Sequence, residues 1–309
     1  MPAHPIQSEA WQFFIARLSE FVAEPSDDHP TVRVWKDSEL IWLINQIAQQ
    51  HKGTLKTTFP SGSEVLKSLL KMGWLRKLSL VGNSTGRELY LMDLEASKDE
   101  GVDVLEVLQA YLPSGVISYF SALGFHELTT QIPAFAHIGR LANGHPPEST
   151  GDVLVSETKP MGRRLFDHDG IECFETKRYK GLTPGVQTRM IGPRTNFRIT
   201  TLEQTLLDTL IQPLRCGGEA VVFEAWGQVK ERANLDRMAD HLKAIGRDTL
   251  VRRVGAMLKM YGIIIQEDSS LGQLLIFVKN NTADTDEVIP LLPGLSYPIT
   301  DGAWKVNMP

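Results

Sequence analysis

The run from Ser61 to Met92 limits the fold more than any other part of the chain. Val65, Leu66, Leu69 and Leu70 recur at helical spacing behind Ser61 or Ser63, and Gly73 is placed to end that helix. Leu75, Leu78 and Leu80, then Leu89 and Leu91, bracket the stretch VGNSTGR, whose Gly82-Asn83 and Thr85-Gly86 pairs are turn signals. A helix therefore runs straight into a β-hairpin. An earlier helix over about 38–50 carries Leu40, Leu43, Ile44 and Ile47 on one face, with Asp37 or Ser38 as N-cap. Two helices followed by a hairpin are the skeleton of a winged helix-turn-helix. In that fold the second helix enters the major groove and the hairpin touches the flanking backbone. The linking segment HKGTLKTTFP has a poor helical pattern.

Charge fits this skeleton. The net charge is −5, but residues 32–87 carry nine Lys/Arg against three Asp/Glu, whereas residues 88–151 carry two against nine. A basic block inside an acidic chain is the electrostatic footprint of a phosphate backbone. Lys67 and Lys71 lie four apart and share the helix face opposite the leucines. Arg76 and Lys77 stand at the base of the hairpin and Arg87 near its tip. Thr58, Ser61 and Ser63 supply donors at the helix N-terminus, itself an anion site. Residues 152–198 carry nine basic against six acidic side chains, and Arg163, Arg164, Lys177, Arg178 and Lys180 form a candidate second basic surface.

The expected organisation is an α+β mixed chain in three parts. Residues 1–30 add an extra N-terminal helix, whose stripe of Trp11, Phe14, Ile15 and Leu18 packs against the next part or makes a dimer contact. Residues 31–95 are the winged helix-turn-helix, and residues 96–309 a larger mixed α/β domain. In that domain strands are expected near 153–158, 171–178, 186–191 and 273–279. Helices are expected at 201–211, 217–230, 234–245 and 247–261, the first with a capping box of Thr200 and Glu203.

Enzyme signals are thin. Glu175-Thr-Lys177 on a strand is half of a metal-dependent nuclease site, and Asp152 is the acid that would complete it. A second Glu-x-Lys, Glu157 to Lys159, shows how readily the tripeptide arises on a polar sheet face, where such pairs make plain ion pairs. The histidines show no metal-ligand spacing, and no GxSxG or phosphate-binding glycine motif occurs. The expectation is no catalysis, no metal and no cofactor, with the nuclease as the alternative. No apolar run reaches ~18 residues. Two distant cysteines, Cys173 and Cys216, and a start without a secretory pattern point to the cytoplasm and away from a membrane.

Three stretches carry a resemblance: SGVISYFSALGFHELTTQIP (114–133), RITTLEQTLLDTLIQPLRCGGEAVVFEAW (198–226) and LVRRVGAMLKMYGI (250–263). Together with the closing PLLPGLSYPITDGAWKVNM (290–308), they resemble the C-terminal region of AbiEi-type antitoxins of type IV, abortive-infection toxin–antitoxin systems. The resemblance spans roughly residues 35–309. It implies a transcriptional repressor that binds inverted repeats in its own promoter, and it allows a homodimer on that DNA. It also implies a C-terminal domain that counters a nucleotidyltransferase-like toxin, and no catalysis of the chain's own. The alternative on the partner side is an antitoxin whose winged helix binds only protein.

Overall fold

A computed structural model describes residues 9–21, 33–50, 61–83, 86–92, 101–144, 161–190 and 195–309. The chain divides into two compact units: Met1–Ser114 with Leu165–Gly170 and Thr188–Phe197, and Gly115–Arg164 with Ile171–Gln187 and Arg198–Pro309.

The first unit contains α1 (Glu9–Phe21), β1 (Val34–Lys36), α2 (Asp37–Gln50), α3 (Gly62–Lys71), β2 (Leu75–Lys77), β3 (Leu89–Met92) and α4 (Val104–Tyr111). Trp11, Phe14 and Leu18 of α1 join Leu40, Leu43, Ile44 and Ile47 of α2 and Val65 and Leu69 of α3 in one core. These are the helical stripes read from spacing, and burying them together is what holds three short helices that would be marginal alone. Gly62 lets α3 approach α2, since a Cβ there would stand 3.1 Å from Asn45 Oδ1. The strands form an antiparallel sheet in the order β1-β3-β2, with Trp35 opposite Tyr90 and Arg76 opposite Leu91. Gly73, at φ +76°, turns the chain out of α3 into β2.

The second unit follows with β4 (Val116–Ile117), α5 (Phe120–Phe125), β5 (Phe135–Ala142), β6 (Arg163–His168), β7 (Ile171–Tyr179), β8 (Val186–Met190) and β9 (Asn196–Thr200). Next come α6 (Leu202–Ile211), α7 (Glu219–Gly227), α8 (Val229–Arg232), α9 (Leu235–Ile245), α10 (Asp248–Met260) and α11 (Ser270–Asn281), then β10 (Ile289–Pro290), β11 (Ile299–Asp301) and β12 (Val306–Met308). The sheet order is β6-β7-β5-β4-β9-β8, with β5 parallel to β7 and β4 parallel to β9. Residues Leu165–Gly170 and Thr188–Phe197 of those strands and turns are counted with the first unit. Leu206, Leu207, Leu210, Trp226, Met238, Leu242, Val254 and Met257 centre the core of α6, α7, α9 and α10.

Three expectations change. The segment 273–279 is the interior of α11, not a strand. Leu271, Leu275 and Val278 are buried at helical spacing, and Ser269 caps the helix by accepting from Gly272 N at 3.0 Å. The helix expected over 217–230 begins at Glu219, because Gly217 (φ 91°) and Gly218 (φ 87°) form the left-handed turn before it, and it breaks at Gln228. Thr201, not Thr200, caps α6, accepting from Gln204 N at 3.2 Å, while Thr200 shares a hydrogen bond with the Thr205 hydroxyl. Glu203 is buried and accepts from Asn234 N at 2.9 Å instead of closing a capping box. The expected strand at 153–158, the second Glu-x-Lys and the HKGTLKTTF segment lie outside the described residues.

Candidate nucleic-acid interface

At the start of α3, Ser61 has extended backbone, and its N–H and hydroxyl both donate to Glu64 Oε2, at 2.9 and 2.7 Å. The Ser61 hydroxyl and backbone donors hold the Glu64 carboxyl below its ordinary range. The helix N-terminus therefore already faces a carboxylate. Ser63 is exposed, its hydroxyl 3.3 Å from that of Ser61. Thr58 lies outside the described residues. Lys67 and Lys71 are exposed on the outer face of α3 and form no ion pair among the described residues. Glu64, with its carboxylate at the third helical position, was not singled out from sequence, although Ser-x-x-Glu ahead of an apolar run is a legible capping signal.

The hairpin arranges its cations differently from one another. Arg76, on edge strand β2, is exposed. Its neighbour Lys77 points to the other face of the strand and pairs with Glu88, which also accepts from Tyr90 Oη at 2.6 Å. Burial together with Glu88 pushes the Tyr90 phenol up to about 12. Arg87 stacks on the Tyr111 ring of α4, 5.3 Å from its centroid. The hairpin is further held by a bridge to the Asp167 backbone. Val81 N donates to Asp167 O at 2.9 Å, and Asp167 N to Val81 O at 2.8 Å. His168 Nδ1 donates to Ser79 O at 3.3 Å.

The second basic surface loses one member. Arg178 is buried, 5% exposed, because strand alternation turns it with Phe174 and Thr176 to the covered face of β7, while Glu175 and Lys177 face the other way. Its Nη2 donates to Asp208 Oδ1 at 2.8 Å, its Nε to Thr183 Oγ1 at 3.2 Å, and its guanidinium lies 4.7 Å from the Tyr119 ring centroid. It also lies over Gly139, where any Cβ would strike its aliphatic stem. Arg163, Arg164, Lys177 and Lys180 remain on the surface. Arg163 and Arg140 both bond Glu175, Arg164 bonds Glu172 at 2.9 Å, and Lys177 lies 4.7 Å from the Tyr179 ring. Burial would raise the Glu175 carboxyl, but the hydrogen bonds and charges of Arg140 and Arg163 outweigh it and hold the group low. Glu175 therefore sits in a clamp of two arginines, the opposite of an open metal ligand. Asp152 lies outside the described residues, and among those described no three His, Cys, Asp or Glu side chains are grouped to hold a metal ion.

Behind the same sheet, His137 is fully buried. Its Nε2 donates to Met161 O at 2.9 Å, and burial pushes its pKa down to about 3. The folded imidazole thus stays neutral between about pH 3 and 6.5, a range in which the unfolded one binds a proton. Stability from this residue is complete above pH 6.5 and is lost as pH falls, by about 1.4 kcal/mol per unit. Thermal melts at pH 7.5 and 5.0 are expected to differ by roughly 2 kcal/mol more in the natural chain than in His137→Gln. Equal pH sensitivity in the two chains would remove His137 as the cause.

No protein-family model matches the chain, and no curated protein does. Among solved structures it is similar to the crystal structure of the RV2827C protein from Mycobacterium tuberculosis. The likeness covers 95% of this chain and 90% of that one, with a TM-score of 0.52 and 13% sequence identity. At that identity it is a likeness of fold: a mixed α+β architecture shared over nearly the whole length. No helix among the described residues is long and apolar enough to cross a membrane.

Proposed function

We propose that this chain is a DNA-binding repressor and antitoxin of the type IV class. In this reading the first unit is a winged helix-turn-helix. Support comes from its order of elements, β1-α2-α3-β2-β3, and from a three-stranded sheet that packs two helices over one core. The observation that carries the reading is the set of exposed cations along α3 and β2, namely Lys67, Lys71 and Arg76, none of which forms an ion pair among the described residues. Positive charge gathered on a helix face that its neighbours leave open is costly to concentrate and useful against phosphates. α3 is the helix that enters the major groove. Lys67, Lys71 and Arg76 contact backbone phosphates, and Lys77 and Arg87, already engaged by Glu88 and Tyr111, contribute less. The antitoxin half rests on the resemblance of the second unit's sequence, with a nucleotidyltransferase-like toxin as partner. The arginine clamp on Glu175 speaks against the nuclease alternative.

A gel shift with duplex DNA from upstream of the gene, run at 50 and 200 mM salt, tests the DNA half. About three phosphate contacts predict a loss of affinity of roughly 40-fold between the two. Absence of any shift at 50 mM would leave α3 as a protein-binding helix and sink the repressor reading. The antitoxin half is tested by coexpression with a toxin encoded alongside, growth rescue being the expected result and failure to rescue the refutation.

A further inference from the structure

We infer that Glu64 reads a cytosine in the major groove, and so sets one base pair of the DNA site that the first unit binds. The inference rests on the DNA-binding reading above. Glu64 is exposed in the first turn of α3, the part of a groove-entering helix that meets base edges. Every other charged side chain on that helix is a lysine, and a carboxylate among them repels a phosphate backbone. It therefore suits the floor of the groove and not its walls. There, the group that a carboxylate accepts from most specifically is the cytosine N4 amino group.

The carboxylate is also prepared for the task. Ser61 fixes one oxygen, Oε2, through two hydrogen bonds, and no hydrogen bond among the described residues reaches Oε1. One oxygen anchors the side chain and the other is left to accept. Anchoring before contact removes part of the side-chain entropy that reading a base would otherwise cost. Beyond the cap, the helix dipole and the Lys67 charge also favour a carboxylate in this turn. A glutamine at this position closes the same box without placing negative charge on a basic helix.

That equivalence supplies the test. Glu64→Gln keeps the cap and the fold, checked by melting temperature, but its one carbonyl oxygen is taken by Ser61 and its free amide can only donate, so it no longer accepts from cytosine N4. Both proteins are put through binding-site selection from a randomised duplex library at one salt concentration. The natural chain is expected to enrich one cytosine position with roughly 10-fold discrimination, and Glu64→Gln to lose that preference for cytosine. If both select the same motif and the variant merely binds tighter, Glu64 is only a cap and the inference is overturned while DNA binding stands. If the natural chain retains no duplex at low salt, the DNA-binding reading itself falls and takes the inference with it.

Discussion

Reversing Lys67 and Lys71 together, as Lys67→Glu and Lys71→Glu, will lower affinity for duplex DNA by roughly 100-fold or more at physiological salt, with the fold intact. Both side chains are exposed and form no ion pair among the described residues, so their replacement removes nothing from the core of Val65, Leu69 and the α2 leucines. Surface changes of this kind move stability by about 0.5 kcal/mol or less. The milder pair Lys67→Ala and Lys71→Ala separates charge from sequence reading. Each lost phosphate contact lowers the slope of log affinity against log salt by about one, so the slope should fall by about two, equally on specific and unrelated DNA. Lys77→Ala is the internal comparison. Its ammonium is already paired with Glu88, so its effect should be the smaller. A double reversal that binds as well as the natural chain would remove α3 from the interface.

The second large effect is on stability. Asp208→Ala leaves the Arg178 guanidinium buried without its counter-charge, which costs about 3–5 kcal/mol. Both groups are almost inaccessible, at 3% side-chain exposure each, and Gln204 Nε2 also bonds Asp208 Oδ1 at 2.9 Å. For a unit of this size the loss corresponds to a fall of roughly 10 °C in melting temperature. Replacing both partners, as Arg178→Met with Asp208→Leu, should recover much of it, because a buried ion pair is worth little relative to apolar groups of similar volume. Lys177→Ala, one residue from Arg178 but on the open face, should change almost nothing. If Asp208→Ala costs less than about 1 kcal/mol, the Arg178–Asp208 pair does not hold the sheet to α6.

The contrast between Lys177 and Arg178 shows where reading the chain stops. Adjacent basic residues look like one surface until their strand is paired, and alternation then sends one to solvent and one to the core. The register of β7 against β5, Gly139 opposite Thr176 and Leu141 opposite Arg178, decides which. Glu175 is similar. Its Glu-x-Lys spacing is local, but the clamp comes from Arg140, 35 residues earlier, and Arg163, 12 earlier. Such partners are set by strand order, which local spacing does not contain. The run QLLIFVK failed for another reason: a short apolar stretch satisfies helix and strand templates alike, and the Ser269 cap and the burial of Leu271, Leu275 and Val278 settle it.

By itself, the sequence determined the elements whose signals are local. The stripes of α1, α2 and α3, the glycine that ends α3, the hairpin after it and the separation of basic from acidic segments all follow from side-chain period, turn chemistry and charge. Only the tertiary structure decided which charges stay free. It left Lys67, Lys71 and Arg76 exposed and without an ion pair among the described residues, tied Lys77 to Glu88, laid Arg87 on Tyr111 and buried Arg178 against Asp208. The physical reason is range: helical period and turn preference act over a few residues, whereas the pairing of a charge depends on groups brought together from distant parts of the chain.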